Sequence, residues 1–171
     1  MPGVCRLLSH LVLSVVALVI VQGTAFSQTV TASLGKYSTE GTVGQGNHHS
    51  ITLTPAATLT GFAANKTGTV IFNVYSLDNA NKDRKKYINN QQHTIVTDAQ
   101  GKATVPGGAE TFGMDIFLKD EKLPLLGTTS WADAATAFNK RAFKVYVTVT
   151  VDGDTKKTTV LAPVVVVGGV E

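Results

Sequence analysis

Residues 143–151 read FKVYVTVTV, and this stretch decides the fold because apolar and polar side chains alternate along its whole length. Phe143 and the four valines fall on one face, while Lys144, Tyr146 and two threonines fall on the other. A period of two is typical of a β-strand with one buried face. The next residues, Asp152-Gly153-Asp154, have the composition of a tight hairpin turn in which glycine adopts a positive φ. The sequence therefore predicts a half-buried strand that turns back antiparallel along residues 156–161.

Further strands are predicted where β-branched and aromatic residues alternate with polar ones between glycines and asparagines. Their ranges are 29–34, 49–54, 69–77, 94–97, 102–105 and 114–119. In the third range Val70, Phe72 and Val74 share one face, which is typical of a central strand. The segment 98–101, DAQG, has the composition of a four-residue hairpin connection. Strands of this length and spacing predict an all-β fold built as an antiparallel β-sandwich.

A run of four valines stands near the end of the chain: Val164, Val165, Val166 and Val167. Such a run is too apolar and too β-prone to stay exposed in an exported protein. We expect it to pair within its own chain, beside residues 143–151 or beside the N-terminal strand, because the hairpin at 152–154 delivers it locally. The alternative cover is strand addition to a second copy, which would make these valines a self-association surface.

One short accessory helix is predicted at residues 130–138. Ser130 is a suitable N-cap, and Asp133 follows three residues later as its capping-box partner. Trp131, Ala135 and Phe138 share one face at i, i+4 and i+7. We expect this helix to cover one end of the sandwich with Trp131 buried in the core.

Four segments resemble, in order, the strand signatures of bacterial immunoglobulin-like repeat domains. They are SITLT at 50–54, TGTVIF at 67–72, TDAQGKATV at 97–105, and FKVYV at 143–147 with its turn at 152–154. The resemblance implies an immunoglobulin-like antiparallel β-sandwich with a non-catalytic role as a spacer, stalk or adhesive module. Residues 79–92 and 119–141 are insertions relative to that pattern.

Residues 1–27 have the pattern of a secretory signal peptide. Arg6 supplies a positive n-region, residues 7–21 an apolar segment, and Ala25-Phe26-Ser27 the small residues of a cleavage site. The apolar segment is shorter than the ~20 residues that span a bilayer. We therefore expect cleavage before Gln28. Residues 28–171 would then be one exported domain, periplasmic, secreted or at the cell surface, with no membrane segment.

The charge balance is close to neutral, with 15 Lys and Arg against 12 Asp and Glu. An excess this small does not predict nucleic acid as a partner. Positive charge is concentrated in the polar stretch 79–92, which we expect to be a solvated loop. There an aromatic ring stands beside amide groups, a combination that suits a sugar or surface polymer. The candidate ligand-binding residues are Arg84, Lys85, Lys86, Tyr87, Asn89 and Asn90.

Three histidines, His48, His49 and His93, are candidates for a metal site. Neighbouring residues of a strand point to opposite faces, so at most one of His48 and His49 can face a shared metal. The alternative is that all three are exposed histidines at loop edges.

The sequence contains no G-x-S-x-G, no H-E-x-x-H and no glycine-rich phosphate loop. It therefore predicts a protein that is not an enzyme and has no cofactor. We expect an exported structural or adhesive module whose partner is a protein or a surface polymer. The alternative is a soluble exported protein that binds a glycan or a metal through the 79–92 loop and the 119–141 insertion.

Overall fold

The computed structural model describes residues 27–42, 47–161 and 165–166, which form nine strands and two short helices. The elements are, in order, β1 (Thr29–Thr42), β2 (Asn47–Thr60), β3 (Thr67–Leu77), β4 (Asp83–Val96), β5 (Ala103–Pro106), β6 (Glu110–Gly113), α1 (Met114–Asp120), α2 (Trp131–Lys140), β7 (Phe143–Val151), β8 (Asp154–Leu161) and β9 (Val165–Val166). The predicted signal segment 1–26 lies outside the described residues.

The strands form two sheets packed face to face. The first has the order β5-β2-β1-β9, with β6 also paired to β2, and the second has the order β4-β3-β7-β8. Every pair is antiparallel except β1 with β9, which is parallel. The prediction of an all-β sandwich is confirmed, although the structure has two accessory helices rather than one.

The core lies between the two sheets and is supplied by the alternation seen in the sequence. Strand β7 alternates between buried and half-buried along its full length, and β3 does so along most of it. Their inward residues meet those of β1 and β2 from the first sheet; the buried members include Leu34, Ile51, Leu53, Leu59, Val70, Phe72, Val74, Val145, Val147 and Val149. The hairpin between β7 and β8 is also as predicted, with positive φ at Asp152 (51°) and Gly153 (85°).

Residues 114–119 were expected to be a strand, and that prediction is wrong. They form α1, which buries Met114, Phe117 and Leu118. These positions are related by i, i+3 and i+4, so they share one face of a helix, whereas they would fall on both faces of a strand. The aromatic ring of Phe117 meets that of Phe138 on α2 at a centroid distance of 5.2 Å, which extends the core beneath the helices.

The expectation of a solvated loop at residues 79–92 is also wrong for most of that stretch. Strand β4 begins at Asp83 and pairs with β3 through irregular register shifts. Asn90, in this irregular part of the strand, has a positive φ of 51°. The apolar pair Tyr87 and Ile88 is buried, which anchors a strand whose other residues are mostly polar and exposed.

The segment 98–101 forms the predicted turn but not the predicted hairpin. The carboxylate of Asp98 accepts hydrogen bonds from the backbone N–H groups of Gln100 (2.9 Å) and Lys102 (2.8 Å). Gly101 has a positive φ of 69°, and a Cβ there would lie 2.0 Å from the Phe62 carbonyl oxygen. The flanking strands belong to different sheets, so this turn carries the chain from the second sheet to the first.

Helix α2 begins as predicted. Ser130 is the N-cap, and its hydroxyl oxygen accepts a hydrogen bond from the backbone N–H of Asp133 at 3.1 Å. The buried residues are Ala134 and Phe138, whereas Ala135 is only half-buried. Trp131 packs against the core but is only half-buried. The prediction that Trp131 is buried in the core is therefore wrong.

Of the four valines near the C-terminus, Val165 and Val166 pair with Gly35 and Lys36 of β1 in the same chain. Val164 and Val167 lie outside the described residues. Pairing with the N-terminal strand is one of the two intramolecular arrangements expected from the sequence, and self-association through the valines stays a prediction.

Candidate binding face

The basic residues of β4 are not all free to meet a ligand. An Arg84 guanidinium nitrogen lies 3.3 Å from Glu121, and another donates a hydrogen bond to the Asp120 carbonyl oxygen. The Lys85 ammonium lies 3.3 Å from the Asp120 carboxylate. Two of the three predicted basic ligand residues therefore tie β4 to the end of α1.

Tyr87 was expected to present its ring to solvent, and that expectation is wrong, because the side chain is only 8% exposed. Its ring packs edge-on against Phe112 and Phe143 at 5.6 and 5.8 Å. The hydroxyl donates a hydrogen bond to the Glu121 carboxylate at 3.3 Å. Burial, together with the negative charge of Glu121, raises the pKa of Tyr87 well above its usual value. Tyr87 is a core residue with a polar end.

The other three predicted ligand residues, Lys86, Asn89 and Asn90, are exposed on the second sheet. The Lys86 ammonium donates a hydrogen bond to the Asn89 side-chain oxygen at 3.0 Å and lies 5.0 Å from the centre of the Tyr75 ring. The backbone N–H of Asn90 donates to the side-chain oxygen of Asn73 on β3 at 3.0 Å. The structure thus brings Lys86 and Asn90 next to outward-facing side chains of β3, whereas Asn89 contacts Lys86.

A shallow open groove of about 420 Å³ lies on the outer face of the second sheet. We call it the tyrosine groove; it is lined by Asn73, Tyr75, Asp83, Lys86, Asn90 and Tyr146. The two tyrosine rings meet edge to face, with centroids 5.4 Å apart and planes at 80°. The groove therefore combines aromatic surface with amide, carboxylate and ammonium groups.

Asp83 holds the polar end of the groove together. Its carboxylate accepts a hydrogen bond of 2.5 Å from the Tyr146 hydroxyl, and the Lys144 ammonium lies 3.6 Å from its other oxygen. The hydrogen bond to Asp83 raises the pKa of Tyr146 to about 12, so the hydroxyl stays protonated at neutral pH. The Tyr146 ring is thereby fixed in position next to Tyr75.

Tyr75 and Tyr146 were not among the candidate residues chosen from the sequence. Both alternate with buried valines, so the sequence alone predicts that they occupy outward positions of β3 and β7. Their contact depends on the β3–β7 register, in which Asn73 pairs with Tyr146 and Tyr75 with Lys144. A register between strands some 70 residues apart is not encoded in any local pattern.

Glu121 is the buried centre of a second polar cluster. Its side chain is 0% exposed, and its carboxylate lies within 3.3 Å of the guanidinium groups of both Arg84 and Arg141. The Ser76 hydroxyl donates a hydrogen bond to it at 2.6 Å, in addition to the one from Tyr87. A carboxylate neutralised by two guanidinium groups and closed to water is suited to joining elements rather than to reacting with a substrate.

The histidines have separate surroundings. His49, on β2 in the first sheet, stacks on Trp131 at a centroid distance of 4.7 Å. His93, on β4 in the second sheet, packs edge-on against Phe72 and lies 3.2 Å from the Gln91 side-chain oxygen. The side chain of His48 is not among those described. Within the described residues no group of three or more histidine, cysteine or acidic side chains has the arrangement of a metal site.

A second cavity, of about 320 Å³, lies where residues 77–79 meet the helical insertion. Its lining includes Asp78, Leu123, Lys140 and Arg141. The guanidinium of Arg141 is engaged here, because it lies 3.2 Å from Glu121 and donates to the Leu77 carbonyl oxygen.

None of the helices in the described part of the chain is long and apolar enough to cross a membrane.

Fold and site together describe an all-β sandwich with an exposed aromatic and polar groove on one sheet. No protein-family model matches the chain, and no curated protein does. The solved structures that are similar at low identity include the following two. The solution structure of R. palustris CsgH has a TM-score of 0.33 and 12% identity, over 76% of this chain and 91% of that one. A protein from Archaeoglobus fulgidus has a TM-score of 0.36 and 10% identity, over 77% of this chain and 91% of that one. Likenesses of this size add nothing to what the geometry says about function.

Proposed function

We propose that this chain is an exported, non-catalytic binding module of the adhesive kind, with an immunoglobulin-like sandwich as its scaffold. It works in the periplasm or at the cell surface and holds a glycan in the tyrosine groove. Export is supported by the signal pattern at residues 1–27, and the scaffold by the strand signatures together with the two-sheet arrangement.

The observation that carries the proposal is the half-buried pair of tyrosine rings that line an open groove and are surrounded by polar groups. Sugar rings present C–H faces that pack on aromatic surfaces and hydroxyl groups that need hydrogen-bond partners. Tyr75 and Tyr146 supply the first requirement, while the amides of Asn73 and Asn90 and the ammonium of Lys86 supply the second. Because the hydrogen bond to Asp83 fixes Tyr146, part of the aromatic surface is ordered before any ligand binds.

The charges in the groove favour binding over hydrolysis. Glycoside hydrolysis generally uses two carboxyl groups on opposite sides of the scissile bond. Among the described residues that line the groove, Asp83 is the one carboxylate, and it is engaged by Tyr146 and Lys144. The groove therefore offers contacts for a sugar without the pair of groups that would cleave it.

A screen of the mature protein against a broad array of neutral and acidic glycans tests the proposal. We expect Tyr75→Ala and Tyr146→Ala each to weaken binding at least about tenfold, because each removes an aromatic face. Tyr37→Ala is the matched control, since Tyr37 is 41% exposed but lies on β1 in the other sheet. Glycan binding that survives both groove variants, or an array with no bound glycan, would contradict the proposal.

A second candidate function uses the cavity between residues 77–79 and the helical insertion. It matches the alternative drawn from the sequence, in which a soluble exported protein binds its ligand between the polar stretch and the 119–141 insertion. Arg141 is engaged by Glu121, so Lys140 is the lining residue that would meet the negative group of an anionic small ligand. Loss of binding in Lys140→Ala, with Tyr146→Ala unaffected, would favour this function over the first.

A further inference from the structure

Polar side chains recur on the outward face of the second sheet beyond the tyrosine groove. At the far end from the groove, the strand register aligns one threonine from each of the four strands. The row is Thr94, Thr69, Thr150 and Thr155, in the order β4-β3-β7-β8. The hydroxyl groups of Thr150 and Thr155 lie 3.1 Å apart, within hydrogen-bonding distance.

The distance from the groove to this threonine row sets the size of the face. Tyr75 and Thr69 are six residues apart on β3, which corresponds to roughly 20 Å. Between them Ile71 and Thr148 pair across β3 and β7, and both are half-buried. A single sugar covers only part of such a face, whereas a chain of several sugars reaches from the tyrosines to the threonines.

Positive charge dominates the groove end of the face. Lys144 is paired with Asp83, whereas Lys86 has no carboxylate within ion-pairing distance among the described residues. Its ammonium is held over the Tyr75 ring and against Asn89. An unpaired ammonium beside an aromatic platform complements a sugar that carries an anionic group.

From these observations, and resting on the proposed function, we infer that the ligand is a linear polysaccharide containing uronic acid units. The polymer lies along the strands, with a carboxylate at Lys86, sugar faces on Tyr75 and Tyr146, and hydroxyl groups reaching the threonine row. The tyrosines provide recognition of the sugar, Lys86 selects the acidic unit, and the threonines make affinity depend on the length of the chain.

Calorimetric titration with polygalacturonate, alginate and hyaluronate tests the inference. We expect at least one of them to bind, to bind more tightly as a polymer than as a trisaccharide, and to weaken as salt is raised. For a polygalacturonate ligand, the fully methyl-esterified polymer is the matched neutral probe and should bind at least about tenfold more weakly.

Two variants separate the parts of the face. Lys86→Gln should weaken polymer binding about fivefold, which corresponds to the loss of one exposed ion pair. Thr150→Val, which keeps the β-branched shape and removes the hydroxyl, should weaken the polymer about threefold and leave the trisaccharide unchanged. Lys119→Gln, on the exposed surface of α1, is the control for a general loss of positive charge.

The outcomes distinguish the inference from the proposed function. If neutral glycans bind as well as uronates, and Lys86→Gln and Thr150→Val change nothing while Tyr146→Ala abolishes binding, the uronate inference is overturned and the glycan-binding function stands. If polyglutamate of equal charge binds as tightly as the uronates and Tyr146→Ala has no effect, the attraction is only electrostatic, and both are overturned.

Discussion

Lys36 is the residue whose placement says most about how the helices are attached to the sandwich. Its side chain is 4% exposed, and its ammonium donates hydrogen bonds to the carbonyl oxygens of Phe138 (3.1 Å), Asn139 (2.9 Å) and Arg141 (2.9 Å). The last carbonyl groups of a helix have no partner within the helix and carry partial negative charge. A lysine from β1 thus caps the C-terminus of α2 from outside the helix.

Replacing Lys36 with methionine tests this cap. The Lys36 ammonium also lies 5.2 Å from the ring centres of Phe138 and Phe143, so methionine, an apolar side chain of similar length, removes both the hydrogen bonds to the carbonyl groups and these two contacts. We expect Lys36→Met to lower the free energy of unfolding by about 2 kcal/mol. Urea denaturation of both proteins measures it, with the exposed Lys66→Met as a control that changes it by less than about 1 kcal/mol. Equal effects of the two substitutions would contradict the role of Lys36.

The same residue gives a pH dependence of known sign. Burial lowers the pKa of Lys36 from 10.5 to about 8. Between these values the unfolded chain binds more protons at this site than the folded chain, so this group makes stability rise with pH. We expect the free energy of unfolding of the wild type, relative to Lys36→Met, to increase between pH 8 and 10.5. Urea titrations across that range check it, and a difference that stays constant or shrinks would contradict it.

The link between the helical segment and the second sheet depends on Glu121, which follows α1 directly. It meets Ser76 from β3, Arg84 and Tyr87 from β4, and Arg141 from the end of α2. Three segments of the chain converge on one buried carboxylate. These four side chains reach the carboxylate only while α1 ends at this position.

Removing the Glu121 carboxylate should lower the free energy of unfolding far more than removing the neighbouring carboxylate of Asp120. Glu121→Ala leaves two guanidinium groups without the carboxylate that balances their charge and two hydroxyl groups without their acceptor, and we expect a loss of about 3–5 kcal/mol in the free energy of unfolding. Asp120→Ala removes only the more exposed pair with Lys85 and should cost less than about 1 kcal/mol. Chemical denaturation of the two variants side by side provides the measurement, and similar midpoints would show that the cluster contributes no more than a surface pair.

The two helices differ in how well the local sequence predicts them. Helix α2 was predictable because Ser130 is a cap with a local partner, Asp133. Helix α1 has no side-chain cap, and its apolar residues are too few to separate a helical from a strand period with assurance. The inward position of Lys36 was also implicit, since it shares a strand face with Val30 and Leu34, but its partners on α2 are a hundred residues away.

At the scale of the whole molecule, the sandwich was predictable and the binding face was not. The alternation in β3 and β7 and the turn at Asp152-Gly153 specify half-buried antiparallel strands from local residues alone. The face depends on which strands are neighbours and on their register, for example Asn73 opposite Tyr146. Strand β4 is hard to recognise in the sequence because most of its residues are polar. The buried residues of its central part, Tyr87 and Ile88, are adjacent and so do not show the period of two that is typical of a strand.

The position at which β1 begins bears on how the chain is processed. Strand β1 begins at Thr29, directly after the cleavage site predicted between Ser27 and Gln28. All the described strands and helices would therefore remain after cleavage. A protease that recognises Ala25-Phe26-Ser27 needs this segment extended and accessible, which is compatible with a site just before the first strand.

We therefore expect the exported protein to begin at Gln28 while keeping the fold of the full sandwich. The mass of intact protein recovered from the periplasm or medium decides the first point, since cleavage at Ser27 predicts a single species spanning residues 28–171. Ala25→Arg is the matched variant, because a bulky charged residue at the −3 position blocks this kind of cleavage site. We expect it to accumulate uncleaved in the membrane fraction. Recovery of the uncleaved wild-type chain, or normal processing of Ala25→Arg, would contradict the signal peptide and with it the location proposed for the binding face.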